Sequence, residues 1–286
     1  MESKTNKNLG QHWLRDATIL ADIAGYANLT PNDTVLEIGP GLGTLTSVLA
    51  ERAGHIVAVE FDRELAEKLI SELAGDAPRG SAQKCFSKKK FLGADGAAGP
   101  ASDLEVVNAD FLQFDLDQLP ADYKVVANIP YYITNKIVMK LLTATNKPQL
   151  AVLLVQKEVA ERLAAAPGKM SVLSVATQLY STVDLGQIIP AAMFDPPPKV
   201  DSQIVILHPH LAGSFLAKDI DEKQFFRVVK AGFSARRKKL RTALSGGLNI
   251  SVTDAEKLLR SANIDPNLRA QDLSLDDWQN LSKLNI

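Results

Sequence analysis

Apolar and polar positions alternate along the first part of the chain with two different periods. Over residues 16–28 the side chains Ile19, Leu20, Ile23 and Tyr26 recur at helical spacing, and after the turn Thr30-Pro31-Asn32-Asp33 the run 34–38 reads as a short buried strand. A glycine-rich turn leads into a helix over about 45–53. A strand over 55–59, closed by Glu60, and a helix over 63–73 follow. Strand, helix, strand, helix in this order predicts a parallel sheet flanked by helices.

Residues 75–103 interrupt the rhythm. They combine Gly, Ala and Pro with the basic run Lys88-Lys89-Lys90 and read as a surface insertion of low order, with Phe86, Phe91 and Leu92 available for local packing. The alternation resumes with strands at 104–107, 124–127 and 150–155, and helices at 135–143, 157–165 and 171–180. Two late strands, 183–188 and 202–207, flank the proline-rich MFDPPPKV segment. Beyond about His210 the strand signal fades, and four short helices are expected at 221–234, 236–245, 253–261 and 274–282. The pattern thus predicts a sheet domain over 1–210 and a smaller helical domain over 211–286.

Composition narrows the classes. With 286 residues and 46% hydrophobic content, the chain can bury one substantial core and a smaller second one. Its 32 basic and 33 acidic residues exclude a histone-like polycation and an acidic tail, but leave room for a local basic face. A single cysteine, Cys85, rules out an internal disulfide framework and suits a reducing compartment. The start, MESKTNKNLG, lacks the apolar stretch of a signal peptide. The longest apolar run, 150–155, is about a third of a membrane span. A soluble, cytoplasmic protein is expected.

Candidate chemistry begins at Glu37-Ile38-Gly39-Pro40-Gly41-Leu42-Gly43, between a strand and a helix. Glycines there permit a tight turn and a close approach of ligand to backbone. Such a loop also occurs in dinucleotide sites, or simply as a turn. The GxGxG spacing with its proline suits a nucleoside without a pyrophosphate, and Glu60, ending the next strand, can accept hydrogen bonds from both ribose hydroxyls. Asp110, just past the third strand, is placed to accept from an adenine amine. Taken alone it reads equally well as an ordinary loop aspartate.

Asn128-Ile129-Pro130-Tyr131 follows the fourth strand, at the carboxyl edge where open sheets place ligands. An adenine amine is a poor nucleophile because its lone pair spreads into the ring. Two acceptors that hold its hydrogens, the Asn128 side-chain oxygen and the Ile129 carbonyl, localise that lone pair toward a methyl sulfonium. Pro130 restrains the residue before it and so fixes that carbonyl, while Tyr131 offers a ring for the base. No strong base is needed before attack, so alignment and fixed dipoles carry the rate. A second ring for a base drawn from its helix is Phe194, stiffened by three prolines, unless that side chain instead closes the core. On its own the tetrapeptide indicates transfer to an amino nitrogen, which enzymes acting on DNA, RNA or glutamine share.

The motifs together resemble one family. Gly10-Gln11-His12-Trp13-Leu14-Arg15-Asp16, EIGPGLGTLT, AVEFD, NADFLQFD, NIPYYIT, VQKEVAERLAAAPG, LSVATQLY and FDPPPKVDSQIV are similar to those of the small-subunit ribosomal RNA adenine dimethyltransferases, over nearly all of the chain except 75–103. The resemblance implies a class I S-adenosylmethionine-dependent methyltransferase fold, Rossmann-like, with a seven-stranded mostly parallel sheet and a small C-terminal helical domain. It implies S-adenosylmethionine held by His12, Leu14, Gly39, Gly41, Glu60, Asp110 and Asn128, and dimethylation of two adjacent adenines near the 3′ end of small-subunit RNA in an immature subunit. His12 and Trp13 stand where the family usually has Asn and Phe, and Ile129 where it usually has Leu. The large-subunit RNA adenine methyltransferases of macrolide resistance share the glycine loop and often NIPY. The full FDPPPKVDS motif and the Ser274–Trp278 segment favour the small-subunit branch.

From Lys223 to Arg241 the chain carries Lys223, Arg227, Lys230, Arg236, Arg237, Lys238, Lys239 and Arg241 without an acid, which suits a phosphate-contacting RNA surface. The histidines His12, His55, His208 and His210 form no ligand-spaced cluster with Cys85, so no metal site is expected. A ribosome assembly factor that binds without chemistry is the non-enzyme alternative, and a monomer is expected.

Overall fold

The computed structural model describes residues 12–74, 84–92, 98–210 and 221–284, and two compact units are distinguished. In chain order the elements are β1 (Trp13–Leu14), α1 (Ala17–Gly25), β2 (Thr34–Ile38), α2 (Thr44–Ala50), β3 (His55–Glu60), α3 (Arg63–Leu69), β4 (Lys84–Leu92), β5 (Ala98–Asn108), β6 (Lys124–Asn128), α4 (Thr134–Thr143), β7 (Leu150–Gln156) and α5 (Lys157–Leu163). Then come α6 (Val172–Tyr180), β8 (Ser181–Ile189), β9 (Phe194–Asp195), β10 (Ser202–Pro209), α7 (Glu222–Phe233), α8 (Leu240–Leu248), α9 (Val252–Ser261) and α10 (Leu275–Ser282).

The first unit is built on a sheet in the order β4-β5-β3-β2-β6-β7-β10-β8. Strands β5, β3, β2, β6 and β7 pair in parallel, and β10 runs antiparallel to β7. From β5 to β8 this is the expected seven-stranded, mostly parallel sheet. Val35, Ile56, Ala58, Val126 and Val152 pack into one core with Leu20 and Ile23 of α1 and Leu45 and Leu49 of α2. The intervening Leu36, Ile38, Val57 and Val59 are buried as well, which is why these strands read as continuous apolar runs. The chain moves outward from β2 through β3 to β5, then returns to lay β6 on the other side of β2. The crevice at that reversal lies at the carboxyl ends of the strands.

The eighth strand, β4, comes from the stretch expected to be of low order. Instead, β4 pairs antiparallel with β5, with Lys88 opposite Asp103 and Lys84 opposite Val107. Residues 75–83 and 93–97 of that stretch lie outside the described residues. A second small sheet was also missed: Trp13 pairs with Asp195 and Leu14 with Phe194.

The second unit comprises Glu161–Val183 and His210–Ile286, so the expected single boundary after residue 210 is corrected by the inclusion of α6. The reason is packing: Val175 and Leu179 of α6 share a core with Phe225, Leu240, Leu259 and Trp278. Residues 211–220, where the expected helical domain begins, lie outside the described part. Among the described residues no helix is long and apolar enough to cross a membrane.

Candidate active site

The carboxyl ends of β2, β3 and β6 open into a pocket lined by His12, Leu14, Glu37, Gly39, Gly41, Glu60 and the whole of Asn128–Tyr131. The loop after β2 turns on left-handed backbone at Gly39 (φ 68°), Gly41 (φ 57°) and Gly43 (φ 75°). At Gly41 glycine is required twice over, because a Cβ would stand 2.2 Å from the Trp13 ring. Trp13 is held there by its pairing in the small sheet, and the Thr44 hydroxyl donates to the Leu14 carbonyl at 3.0 Å.

Glu60 is almost fully buried at the end of β3. Its two oxygens accept from the Gly41 amide at 3.0 Å and the Asp62 amide at 2.8 Å. Burial pushes this carboxyl up from its ordinary range, and the backbone donors of Asp62 and Gly41 offset part of the rise. The carboxylate thereby ties the glycine turn to the third strand and keeps further lone pairs for a ligand. Glu37, on β2, is 1% exposed, and its Oε2 has no hydrogen-bond partner.

On the other wall, the Asn128 side-chain amide donates to the His12 carbonyl at 3.5 Å, which orients its oxygen away from that contact. The Ile129 amide donates to Leu154 at 3.4 Å, anchoring the turn to β7. The Tyr131 hydroxyl lies 2.7 Å from the Ser202 hydroxyl at the start of β10, and burial raises the phenol above its ordinary pKa. The His12 ring stacks on Tyr131, with centroids 5.8 Å apart, and its Nδ1 lies 2.7 Å from the Pro196 carbonyl.

Two expected site residues stand apart from this lining. Asp110 caps the short turn after β5, its carboxylate accepting from the Leu112 amide at 2.9 Å. Phe194 is 4% exposed and belongs to the core beside Leu14, so it is not the exposed ring that the proline-stiffened loop suggested. The open rings at the pocket mouth are Phe61 (62% exposed) and Tyr132 (64% exposed), and with the half-buried Trp13 they are lining residues that the motifs did not single out as site residues. Phe61 directly follows Glu60 and Tyr132 directly follows Tyr131, and that adjacency is the signal that could have found them.

In the helical unit, Lys223, Arg227 and Lys230 lie on the exposed side of α7, and Arg236, Arg237, Lys238 and Lys239 on the exposed turn before α8. Arg241 is half-buried and paired with Glu256 at 2.5 Å, and Lys239 donates to Asn267 at 2.8 Å. Among the described residues no group of three or more His, Cys, Asp or Glu gathers as metal ligands, and His208 pairs with Asp184 at 3.2 Å.

The strand order, the glycine turn at the switch point and NIPY at the carboxyl edge define a class I methyltransferase fold. Two solved structures share it over most of their length. They are the 23S rRNA methyltransferase ErmE (TM-score 0.70, 28% identity, 95% of this chain and 98% of that one) and a dimethyladenosine transferase from Plasmodium falciparum (TM-score 0.71, 25% identity, 94% and 96%). The model of the ribosomal RNA adenine dimethylase family matches residues 2–80 and 87–285, and the chain belongs to that family. Similar relatives include proteins named ribosomal RNA small subunit methyltransferase A. The one from Dehalococcoides mccartyi is 38% identical over 97% of this chain and 87% of its own, and the one from Thermosynechococcus vestitus is 36% identical over 98% and 97%.

Proposed function

We propose that this enzyme transfers methyl groups from S-adenosylmethionine to the N6 amines of two adjacent adenines near the 3′ end of small-subunit ribosomal RNA, while the subunit is still immature. The observation that carries the reading is the placement of Asn128–Tyr131 on one wall of a pocket whose other walls are the Gly39–Gly43 turn and Glu60. The near full-length relatives named for the small subunit support this target over large-subunit RNA. The fold alone does not discriminate, since the 23S rRNA methyltransferase and the dimethyladenosine transferase match it about equally.

The residues fit the donor. At Gly41 the Trp13 ring leaves no room for a side chain, which keeps the glycine turn tight along the pocket wall, and the buried Trp13 Nε1 and Glu37 Oε2 have no hydrogen-bond partner within the protein. His12, Leu14, Gly39, Gly41, Glu60 and Asn128 would hold the donor, with Glu60 taking the ribose hydroxyls and Asp110 the adenine amine. Bound there, the donor supplies a methyl group on a positively charged sulfur. Asn128 Oδ1 and the Ile129 carbonyl accept from the target amine and orient its lone pair. Tyr131, fixed through Ser202, carries the base. The lysines and arginines of α7 and the turn before α8 contact RNA phosphates.

Transfer of labelled methyl groups to immature small subunits, and separately to large-subunit RNA, tests the reading. The native protein should label adenines of the small subunit, and Asn128→Ala should lower the rate by about a hundredfold or more. RNA binding without labelling by either protein, or labelling of large-subunit RNA alone, would overturn it.

A further inference from the structure

Asp110 does not line the pocket, yet the chain around it is fastened on both sides. On the pocket side, the Asn108 side-chain amide donates to the Glu60 carbonyl at 2.9 Å and to the Phe61 carbonyl at 3.2 Å. The Ala109 amide donates to the same Glu60 carbonyl at 3.0 Å. These bonds set Asp110 just past the carboxyl end of β5, beside the glutamate that closes β3. Asp110 then opens a single 3-10 turn, Phe111–Gln113. One carboxylate oxygen accepts from the Leu112 amide at 2.9 Å, which leaves the other for a ligand.

A turn of three residues makes few hydrogen bonds of its own and leaves its last carbonyls open. Lys140, reaching across from α4, closes that far end. Its ammonium donates to the Leu112 carbonyl at 2.9 Å and the Phe114 carbonyl at 2.6 Å, over the buried Phe111 ring. Both bonds are charge-assisted and so stronger than neutral ones. The same helix starts from the NIPY wall, where the Thr134 hydroxyl donates to the Tyr131 carbonyl at 3.2 Å and the Pro130 carbonyl at 3.4 Å. From Thr134 to Lys140 the helix rises about 9 Å. One rigid element therefore fixes the interval between the methyl-transfer wall and the Asp110 turn.

We propose that Lys140 is a positioning residue for the donor's adenine: by holding the Phe111–Gln113 turn against α4, it aims the Asp110 carboxylate at the adenine amine. The inference rests on reading Asp110 as the acceptor of that amine. A carboxylate accepts from an amine but repels an oxo group in its place, so the quality of its aim is legible in how well the two are told apart.

Calorimetry on the full chain with S-adenosylhomocysteine and S-inosylhomocysteine, whose ring carries an oxo group instead of the amine, reads the role as a ratio of affinities. Wild type should prefer the adenine ligand by about tenfold or more, as expected for a hydrogen bond to a charged group. Asp110→Asn should lose most of that preference, because an amide can turn its NH2 toward the oxo group. Lys140→Met should cut it by about threefold or more, since a hydrogen bond weakens steeply once misaligned. Lys140→Gln, neutral but still a donor, should cut it less, and it carries the comparison if the methionine variant does not fold. Asn146→Ala controls for loosening alone. The Asn146 side-chain amide holds the next turn in the same manner, donating to the Leu116 and Leu119 carbonyls at 2.9 Å each. That variant should melt earlier and keep the wild-type preference. An equal fall in preference in Asn146→Ala would overturn the role of Lys140. So would an unchanged preference in folded Lys140 variants while Asp110→Asn loses it. A wild type with no preference for the adenine ligand would overturn the reading of Asp110 instead.

Discussion

Gly41 shows how little freedom single residues have around the pocket. Its φ of 57° and the Trp13 ring 2.2 Å from a built Cβ mean that alanine must strain the backbone and displace the indole together. Gly41→Ala is expected to cost about 1–3 kcal/mol of stability and to weaken binding of S-adenosylhomocysteine, read by thermal melting and calorimetry. Tyr131 separates two roles in one side chain. Tyr131→Phe keeps the ring and removes only the hydroxyl that meets Ser202, so RNA methylation should fall only a few-fold. Tyr131→Ala removes the ring, and stacking of a base is worth about 1–3 kcal/mol, so kcat/KM for RNA should fall by a further tenfold or more. Equal rates for the two variants would contradict a stacking role.

Among the elements, α4 links the two halves of the proposed site. It starts three residues after Tyr131, and its Lys140 ammonium donates to the Leu112 carbonyl at 2.9 Å and the Phe114 carbonyl at 2.6 Å, lying 5.2 Å over the Phe111 ring. Burial lowers the lysine pKa, while Asp110 and Asp115 raise it in part. Lys140→Met strips both carbonyls of their donor and should cost about 1–3 kcal/mol in a denaturant melt. Elements of this length were legible because strands β2, β3, β6 and β7 are short apolar runs and the helices carry a 3.6-residue period. The two-residue strands β1 and β9 were not, since two residues have no period. The β4–β5 pairing was hidden for another reason: the glycine, lysine and proline content of this stretch reads as loop, and only the free edge of β5 gives β4 a partner.

At the scale of the whole molecule, the helical unit has a core of its own around Trp278, which is fully buried and stacks on Phe233 at 5.5 Å. Trp278→Ala should cost about 3–5 kcal/mol and melt that unit at lower temperature, seen as an early loss of near-ultraviolet circular dichroism. The same unit bears the basic turn. Neutralising Arg236, Arg237, Lys238 and Lys239 together should weaken RNA binding and reduce the slope of log affinity against log salt by up to about three. An unchanged slope would remove this turn from the RNA surface. Arg241, paired with Glu256, should contribute less than its neighbours.

The sequence by itself determined the succession of strands β2, β3, β6 and β7 with their helices, the glycine turn, Glu60 and the NIPY wall, because each is written in local periodicity or in a short contiguous motif. It could not assign α6 to the helical unit or withdraw Phe194 into the core, because those depend on which distant surfaces share a burial site. Tertiary structure alone brought Trp13 against Gly41 and Ser202 to Tyr131, and left one oxygen of Glu37, Oε2, buried without a hydrogen bond. Hydrogen bonds and desolvation act between neighbours in space, and no spacing along the chain records whether a buried carboxyl has found one.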